Sequence, residues 1–316
     1  MKRYKYLLVL TACLFFSCGG GGDDPIIPPE PEVPVEPSGK PEEPVEPSDD
    51  SLAVNLKFSV ADYTFKPDDA LGVYMVNQAG NTSQTLLAKG NWKDNVKFSY
   101  SSERKWMSEP PVYWKDQTTL SDFYCYFPYQ PTVSDVSACP FSVRADQRSQ
   151  EALQASLFFW GKKIGAKPTN ADQDMRLTNL MSRVCIKLYA GEGFSNKDLS
   201  EGDFAVTLRG VQRECTIDLA DGVIVPTGDG EDVLLGTFSA DNRTFEALLP
   251  PQEWQNNTSI EVIWEGGSCQ IQDEGRVLES GKKYSINVTV SRKQNGLEIG
   301  IGGWQETEED YGGIVN

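Results

Sequence analysis

Histidine is absent from the chain. With it go the commonest general base, the commonest zinc ligand and every Ser-His or Cys-His dyad. Carboxylates alone can run a glycosidase, so the absence disfavours catalysis without excluding it. There is no C-x-x-C spacing, which removes the usual metal and redox pairs, and no G-x-S-x-G elbow. Gly281-Lys282 lacks both the glycine spacing and the following Ser or Thr of a phosphate loop. Arginine is missing between Cys18 and Arg104, so a protease that cuts after arginine finds no site there. Positive charge is also scarce: 29 Lys and Arg stand against 46 Asp and Glu, a net of −17 that argues against nucleic acid as a partner. Neither cofactor nor metal is expected. Asp229-Gly230-Glu231-Asp232 could hold calcium but reads more simply as a solvated acidic turn.

What is present begins with a leader. Lys2, Arg3 and Lys5 precede an apolar run from Tyr6 to Phe16 that is too short to span a bilayer, the pattern of a secretion signal. Cys13, after Leu10-Thr11-Ala12, and Cys18, after Phe15-Phe16-Ser17, could each end it. Cleavage before Cys13 would leave Leu14-Phe15-Phe16 in the mature chain, whereas the sequence turns polar directly after Cys18. Residues 1–17 are therefore read as a lipoprotein signal and Cys18 as the lipid attachment site, which makes the membrane a partner. Several acyl chains on Cys18 would anchor stably where one is marginal.

Residues 18–51 then form a disordered acidic tether, with Pro-Val-Glu-Pro-Ser at both Pro34 to Ser38 and Pro44 to Ser48. Such a composition cannot build a core. Extended at ~3.1 Å per residue, it reaches on the order of 90 to 100 Å. It serves as a spacer that lifts the body off the lipid.

The body opens on Leu52, Val54, Leu56, Phe58 and Val60, five large apolar residues on alternate positions. An extended chain puts them on one face. Burying them is worth roughly 8 to 15 kcal/mol, comparable with the net stability of a domain. Ala70 to Val76 reads as a buried strand, and Leu120 to Tyr129 as a strand carrying aromatics on both faces. A helical turn is expected near Ser149 to Leu157. Further on, Val184, Ile186 and Leu188 alternate with Cys185, Lys187 and Tyr189. Asp221-Gly222 marks a hairpin, and Ile260 to Trp264 and Tyr284 to Val290 alternate again. Lys167-Pro168-Thr169-Asn170 reads as a boundary loop. Short strands with recurrent turns predict an all-β protein of two antiparallel β-sandwich domains, 52–168 and 169–304, followed by an acidic tail, 305–316.

An ordered set of segments carries a family resemblance. Pro111-Val112-Tyr113-Trp114, an aromatic strand ending Phe127-Pro128-Tyr129, Met181-Ser182-Arg183-Val184 and Ile217-Asp218-Leu219 come first. Leu249-Pro250-Pro251-Gln252, Gly281-Lys282-Lys283-Tyr284 and Ile301-Gly302-Gly303-Trp304 follow. Together with the leader, this set resembles the fimbrillin family. The resemblance implies two tandem transthyretin-like sandwiches, exported as a surface lipoprotein to the outer membrane of Bacteroidetes-type bacteria, with other fimbrial subunits as partners. In polymerising members a protease cuts after an arginine, removes an N-terminal strand, and a neighbour's donor strand fills the groove; other members anchor the fibre or sit at its tip as adhesins.

In this chain the arginine is missing, and Lys66 precedes Pro67, which makes it a poor tryptic site. The tail offers only Tyr311, Ile314 and Val315 as large apolar residues, without alternation. Leu52 to Val60 is accordingly expected to stay as the groove-filling strand of a non-enzymatic pilus anchor or accessory subunit, or of an adhesin that binds a host or bacterial surface by β-strand addition. The alternative is a glycan-binding surface lipoprotein of a polysaccharide-uptake system. Trp92, Trp106 and Trp254 would be its candidates, and Tyr113, Trp114, Tyr124 and Tyr126 could stack on sugars or pack the core. A carboxylate glycosidase is the third reading, with no acid/base pair to name. Among Cys125, Cys139, Cys185, Cys215 and Cys269, a Cys125 to Cys139 disulfide is conceivable after export. Cys215 shares a face with Ile217 and Leu219 and reads as a small buried hydrophobe.

Overall fold

The computed structural model describes residues 51–307 except 104, 266, 274 and 294–295, with the backbone alone for 301–307. The leader, Cys18, the tether up to residue 50 and the tail beyond 307 lie outside the described residues. The chain is all-β, as its alternation predicts.

In chain order β1 (Leu56–Val60), β2 (Ala70–Asn77), β3 (Lys93–Tyr100), β4 (Trp106–Ser108), β5 (Ser121–Phe127), β6 (Cys139–Ser142), β7 (Phe159–Ala166) and β8 (Gln173–Asn179) come first. Then follow β9 (Ser182–Ala190), β10 (Phe204–Val211), β11 (Glu214–Asp218), β12 (Val223–Thr227), β13 (Glu231–Leu234), β14 (Gly236–Thr237) and β15 (Thr244–Leu249). The last are β16 (Gln252–Glu253), β17 (Ser259–Trp264), β18 (Gly267–Gln272), β19 (Val277–Leu278), β20 (Lys283–Lys293) and β21 (Gly296–Thr307). Two short helices are α1 (Gln150–Gln154), started by the Ser149 side chain, and α2 (Asn196–Glu201), started by a Ser195/Asp198 capping box.

A seven-stranded sheet runs β1-β8-β7-β5-β2-β3-β4. Every residue of β5 is buried, which answers to its aromatics on both faces. Phe123 meets Trp114 edge-on at 5.5 Å on one side, and Tyr126 stacks on Phe158 at 6.0 Å on the other. A five-stranded sheet, β14-β15-β9-β20-β21, and a four-stranded sheet, β13-β10-β17-β18, follow, and their buried residues join the same core. Val184, Ile186 and Leu188 of β9 and Ile286, Val288 and Val290 of β20 are completely buried there. Arg183, Lys187 and Tyr189 on alternate positions of β9 are more open, because a strand turns successive side chains to opposite faces, though Cys185 between them is buried too.

Strands pair across the boundary loop at 167–170. β8, beyond the loop at 167–170, lies in the first sheet between β1 and β7. In return β6 pairs with β11, making a three-stranded sheet β12-β11-β6. The chain after β6 continues beside β13: Leu234 N–H donates to Ala145 O at 2.8 Å, and Gln147 N–H to Leu234 O at 2.9 Å. The fully buried Gln147 amide closes this junction, donating to Leu248 O at 2.9 Å and Arg144 O at 3.0 Å while accepting from Leu248 N–H at 2.8 Å. The Asp221-Gly222 turn lies over Trp160, whose Nε1 donates to Leu219 O at 2.8 Å. Gly222 has φ +70°, and a Cβ there would come within 2.7 Å of the Trp160 ring, so glycine is required twice over. Two pairings run parallel, β1 with β8 and β20 with β9, and the other described ladders are antiparallel.

Candidate functional site

The segment from Leu52 to Val60 is docked along its whole length, and it changes partner midway. Trp114 N–H donates to Leu52 O at 3.0 Å and Val54 N–H to Val112 O at 2.8 Å, so its first turn of pairing is with residues 112–114. Gln173 N–H then donates to Asn55 O at 2.8 Å, and β1 runs parallel to β8 from Leu56 opposite Gln173 to Val60 opposite Leu177. Asn55 Nδ2 donates to Asn170 O at 2.8 Å, and Trp114 Nε1 to Thr169 O at 3.0 Å, tying the same loop to both sides.

The five apolar residues share one face, as their spacing requires. Val54, Leu56 and Phe58 are buried at 6, 5 and 5% exposure, while Leu52 and Val60 are half-buried against the same core. Counting the last two at half weight lowers the burial term to roughly 6 to 12 kcal/mol. Asn55, Lys57 and Ser59 face solvent.

β1 and β4 are the opposite edges of the seven-stranded sheet, yet Phe58 meets Trp106 of β4 edge-on at 5.0 Å and Phe98 of β3 at 6.1 Å. The sheet therefore curls until its edges approach. A cleft of about 290 Å³ lined by Asn55, Leu56, Lys57, Lys105, Trp106 and Asp172 marks the seam. Just past β1, Tyr63 and Phe65 extend the aromatic packing: Tyr63 lies 4.9 Å from Phe159, and Phe65 lies 4.8 Å from Trp106. Burial, then the charge and hydrogen bond of Asp69 at 3.2 Å, push the Tyr63 hydroxyl above its ordinary range. Tyr63 and Phe65 continue the alternate spacing after the break at Ala61-Asp62, a signal in the sequence for two rings that belong to the same docked segment.

The residues considered for sugar stacking do not make an exposed row. Trp254 is 1% exposed, Trp106 packs among Phe58, Phe65 and Tyr100, and Trp92 alone of the three is open, at 40%, with Nε1 donating to Tyr113 O at 2.9 Å. Trp114, Tyr124 and Tyr126 are buried in the core. In the acidic segment considered for calcium, Glu231 pairs with Arg213, and Asp232 with Arg209 at 2.6 Å; both belong to cross-strand ion pairs on or beside β13.

Cys125, Cys139, Cys185, Cys215 and Cys269 are all free thiols, so the Cys125 to Cys139 disulfide is not formed in this structure. Burial pushes the Cys139 thiol up to about 11 and those of Cys185 and Cys215 to about 12, and raises Cys125 further. Such thiols are poor nucleophiles and metal ligands. Cys215 is 2% exposed on the inner side of β11, as its spacing from Ile217 indicates.

The comparisons with known proteins agree with this geometry. A candidate fimbrium subunit of Bacteroides uniformis, Fim1C, is 22% identical over 95% of this chain and 93% of its own length. The crystal structure of a candidate cell adhesion protein from Bacteroides uniformis superposes with a TM-score of 0.62 at 19% identity, covering 84% of this chain and all of that one. Another candidate cell adhesion protein, from Bacteroides ovatus, gives a TM-score of 0.62 at 15% identity over 81% of this chain and 96% of its own. The profile described as fimbrillin-like matches residues 59–304, most of the chain and nearly all of its described body. This protein is a member of the fimbrillin-like family of fimbrial and cell-adhesion proteins.

Proposed function

We propose that the protein is a non-enzymatic surface lipoprotein of fimbrial type, held in the outer membrane by lipid on Cys18 and raised from it by the acidic tether. It works as an anchor or accessory subunit, or as an adhesin, with Leu52, Val54, Leu56, Phe58 and Val60 kept as the groove-filling strand. The division into two tandem sandwiches near residue 168 belongs to the same reading, with β6 and β8 crossing between them. Partners in this reading are other fimbrial subunits and a surface ligand reached by β-strand addition.

The observation that carries it is the fully docked 52–60 segment, with no arginine between Cys18 and Arg104 at which to release it. Lys57 lies inside the hydrogen-bonded strand, where a protease cannot draw it into an extended site without unpairing β1. Recovery of the protein from the cell surface followed by N-terminal analysis tests the reading. A blocked, acylated start at Cys18 on a chain that runs as a monomer without boiling is the expected result. A ladder of boiling-sensitive polymers whose subunits begin after residue 60 contradicts it.

A further inference from the structure

Four segments meet at one place: the 191–194 loop after β9, the start of β10, the end of β17 and the end of β20. Phe204 and Trp264 stand opposite each other across β10 and β17, and their rings stack at 5.8 Å with planes 15° apart. Phe194 meets Trp264 edge-on at 5.0 Å. The Arg292 guanidinium sits in the corner that Phe194 and Trp264 make, 4.6 Å from the centre of the Trp264 ring and 4.9 Å from that of Phe194. The backbone fixes this corner. Arg292 N–H donates to Glu192 O at 2.7 Å and Gly191 N–H to Val290 O at 2.8 Å, so the loop is pinned along β20. Gly193 has φ +80° and lies so close that a Cβ there would come within 2.8 Å of the Arg292 side chain.

Arg292 is exposed and lines a cavity of about 280 Å³ together with Trp264, Glu265, Lys293 and Leu297. Its field reaches Asp198, but among the described residues no carboxylate forms an ion pair with it and no acceptor takes a hydrogen bond from its guanidinium. Lys293 is already paired, with Nζ 2.9 Å from Glu298 and 4.0 Å from Glu192. A guanidinium held against ring faces keeps its fork of N–H donors for a carboxylate or a phosphate. The surrounding charge decides between the two. Glu265, Glu192 and Glu298 outnumber Arg292 and Lys293 here, so a doubly charged phosphate is repelled more than a singly charged carboxylate. The exposed Glu265 carboxylate also offers acceptors for hydroxyl groups. The volume lies just below the ~300–1,000 Å³ of small-molecule sites, which suits a single ring.

We propose that this recess binds a carboxylated sugar, a uronic acid residue of an acidic polysaccharide, with the Arg292 fork on its carboxylate and Glu265 accepting from its hydroxyls. The aromatic corner holds Arg292 in place and is not itself the stacking surface, since Phe204 and Arg292 already occupy the Trp264 ring. This goes beyond strand addition, and it does not depend on whether β1 is retained.

The test titrates the full chain calorimetrically with tri-galacturonate and with a glucuronate-containing hyaluronan tetrasaccharide. The methyl ester of tri-galacturonate, whose carboxylates are neutralised, and hexaglutamate, a carboxylate-rich peptide, serve as comparisons. Saturable binding of at least one of the two acidic sugars, about tenfold or more tighter than the ester, is expected, and it should weaken several-fold as salt rises to about 0.5 M. Arg292→Gln should lose about tenfold or more in affinity. Arg292→Lys, which keeps the charge but not the fork, should remain several-fold weaker than the parent. Both variants are checked for fold by circular dichroism, and Lys89→Gln, at an exposed lysine ahead of β3, should bind as the parent does. Equal binding of the ester, unchanged binding by Arg292→Gln, preference for hexaglutamate, or no saturable binding of either acidic sugar would each overturn the proposal. None of these outcomes touches the retained strand, which N-terminal analysis tests separately.

Discussion

Phe58 tests whether the first strand holds the body together. Its ring is 5% exposed and meets Trp106 and Phe98 edge-on at 5.0 and 6.1 Å, so Phe58→Ala opens a cavity at the seam between the two edges of the sheet. Phe-to-Ala changes in cores cost about 3 to 5 kcal/mol, of which each edge-on ring contact supplies about 0.5 to 1.5. With a urea slope of roughly 2 to 3 kcal/mol/M, the unfolding midpoint should fall by about 1 to 2 M. Ser59→Ala, on the solvent face of the same strand, is the control and should stay within ~0.5 kcal/mol. Tryptophan fluorescence is a suitable probe because Trp106 is itself in the contact. A body beginning at Ala61 loses all five groove residues, a term of roughly 6 to 12 kcal/mol set against a net stability of about 5 to 15. It should fold poorly and recover its thermal midpoint when a synthetic peptide spanning residues 51–60 is added. If Phe58→Ala were no more costly than Ser59→Ala, or the shortened body were as stable as the whole, the strand would be an ornament and the retained-strand reading would fall.

Other consequences can be checked independently. Gln147→Leu keeps the volume of the side chain but strands the N–H and C=O of Leu248 and the C=O of Arg144. At about 1 to 3 kcal/mol per unsatisfied buried group, thermal denaturation should show a loss of roughly 3 to 9 kcal/mol, and an unchanged midpoint would count against the junction. Thiol titration of the native body at pH 8 should find Cys125, Cys139 and Cys215 silent until denaturant is added, because burial raises each of them; rapid reaction of any of the three would show the core to be open. The Arg148 guanidinium and backbone N–H hold the Asp146 carboxyl down at about 2, and hydrogen bonds from Thr119 and Thr118 hold Asp116 lower still. A depressed carboxylate stabilises the fold above its unfolded value near ~3.9 and loses that contribution as pH falls through its folded value. The window for Asp146 is therefore about pH 4 to 2, and since both partners are more than half exposed the stability effect should be slight. Carbon-13 side-chain titration should place Asp146 near 2, and a midpoint close to 4 would mean that the pair does not form in solution.

The sequence by itself determined the all-β class, the chemistry that cannot occur without histidine, and which side of each alternating strand faces a core. Leu52 to Val60, Val184 to Leu188 and Tyr284 to Val290 were legible because alternation is a local property of the extended backbone. The helical turn at Ser149 and the Asp221-Gly222 hairpin were legible for the same reason, since caps and turns are set by neighbouring residues. Only the tertiary structure decided partners and directions. That β1 runs parallel to β8, more than a hundred residues away, that β6 joins β11, and that Gln147 pins the loop after β6 to β15 are contacts of high sequence separation. Nothing in a period of two encodes them, because a strand offers the same backbone groups to either neighbour in either direction. The tryptophans divide in the same way: residue type marked all three as candidates, but the packing of β4 around Phe58 and the burial of Trp254 in the core left only Trp92 of the three open.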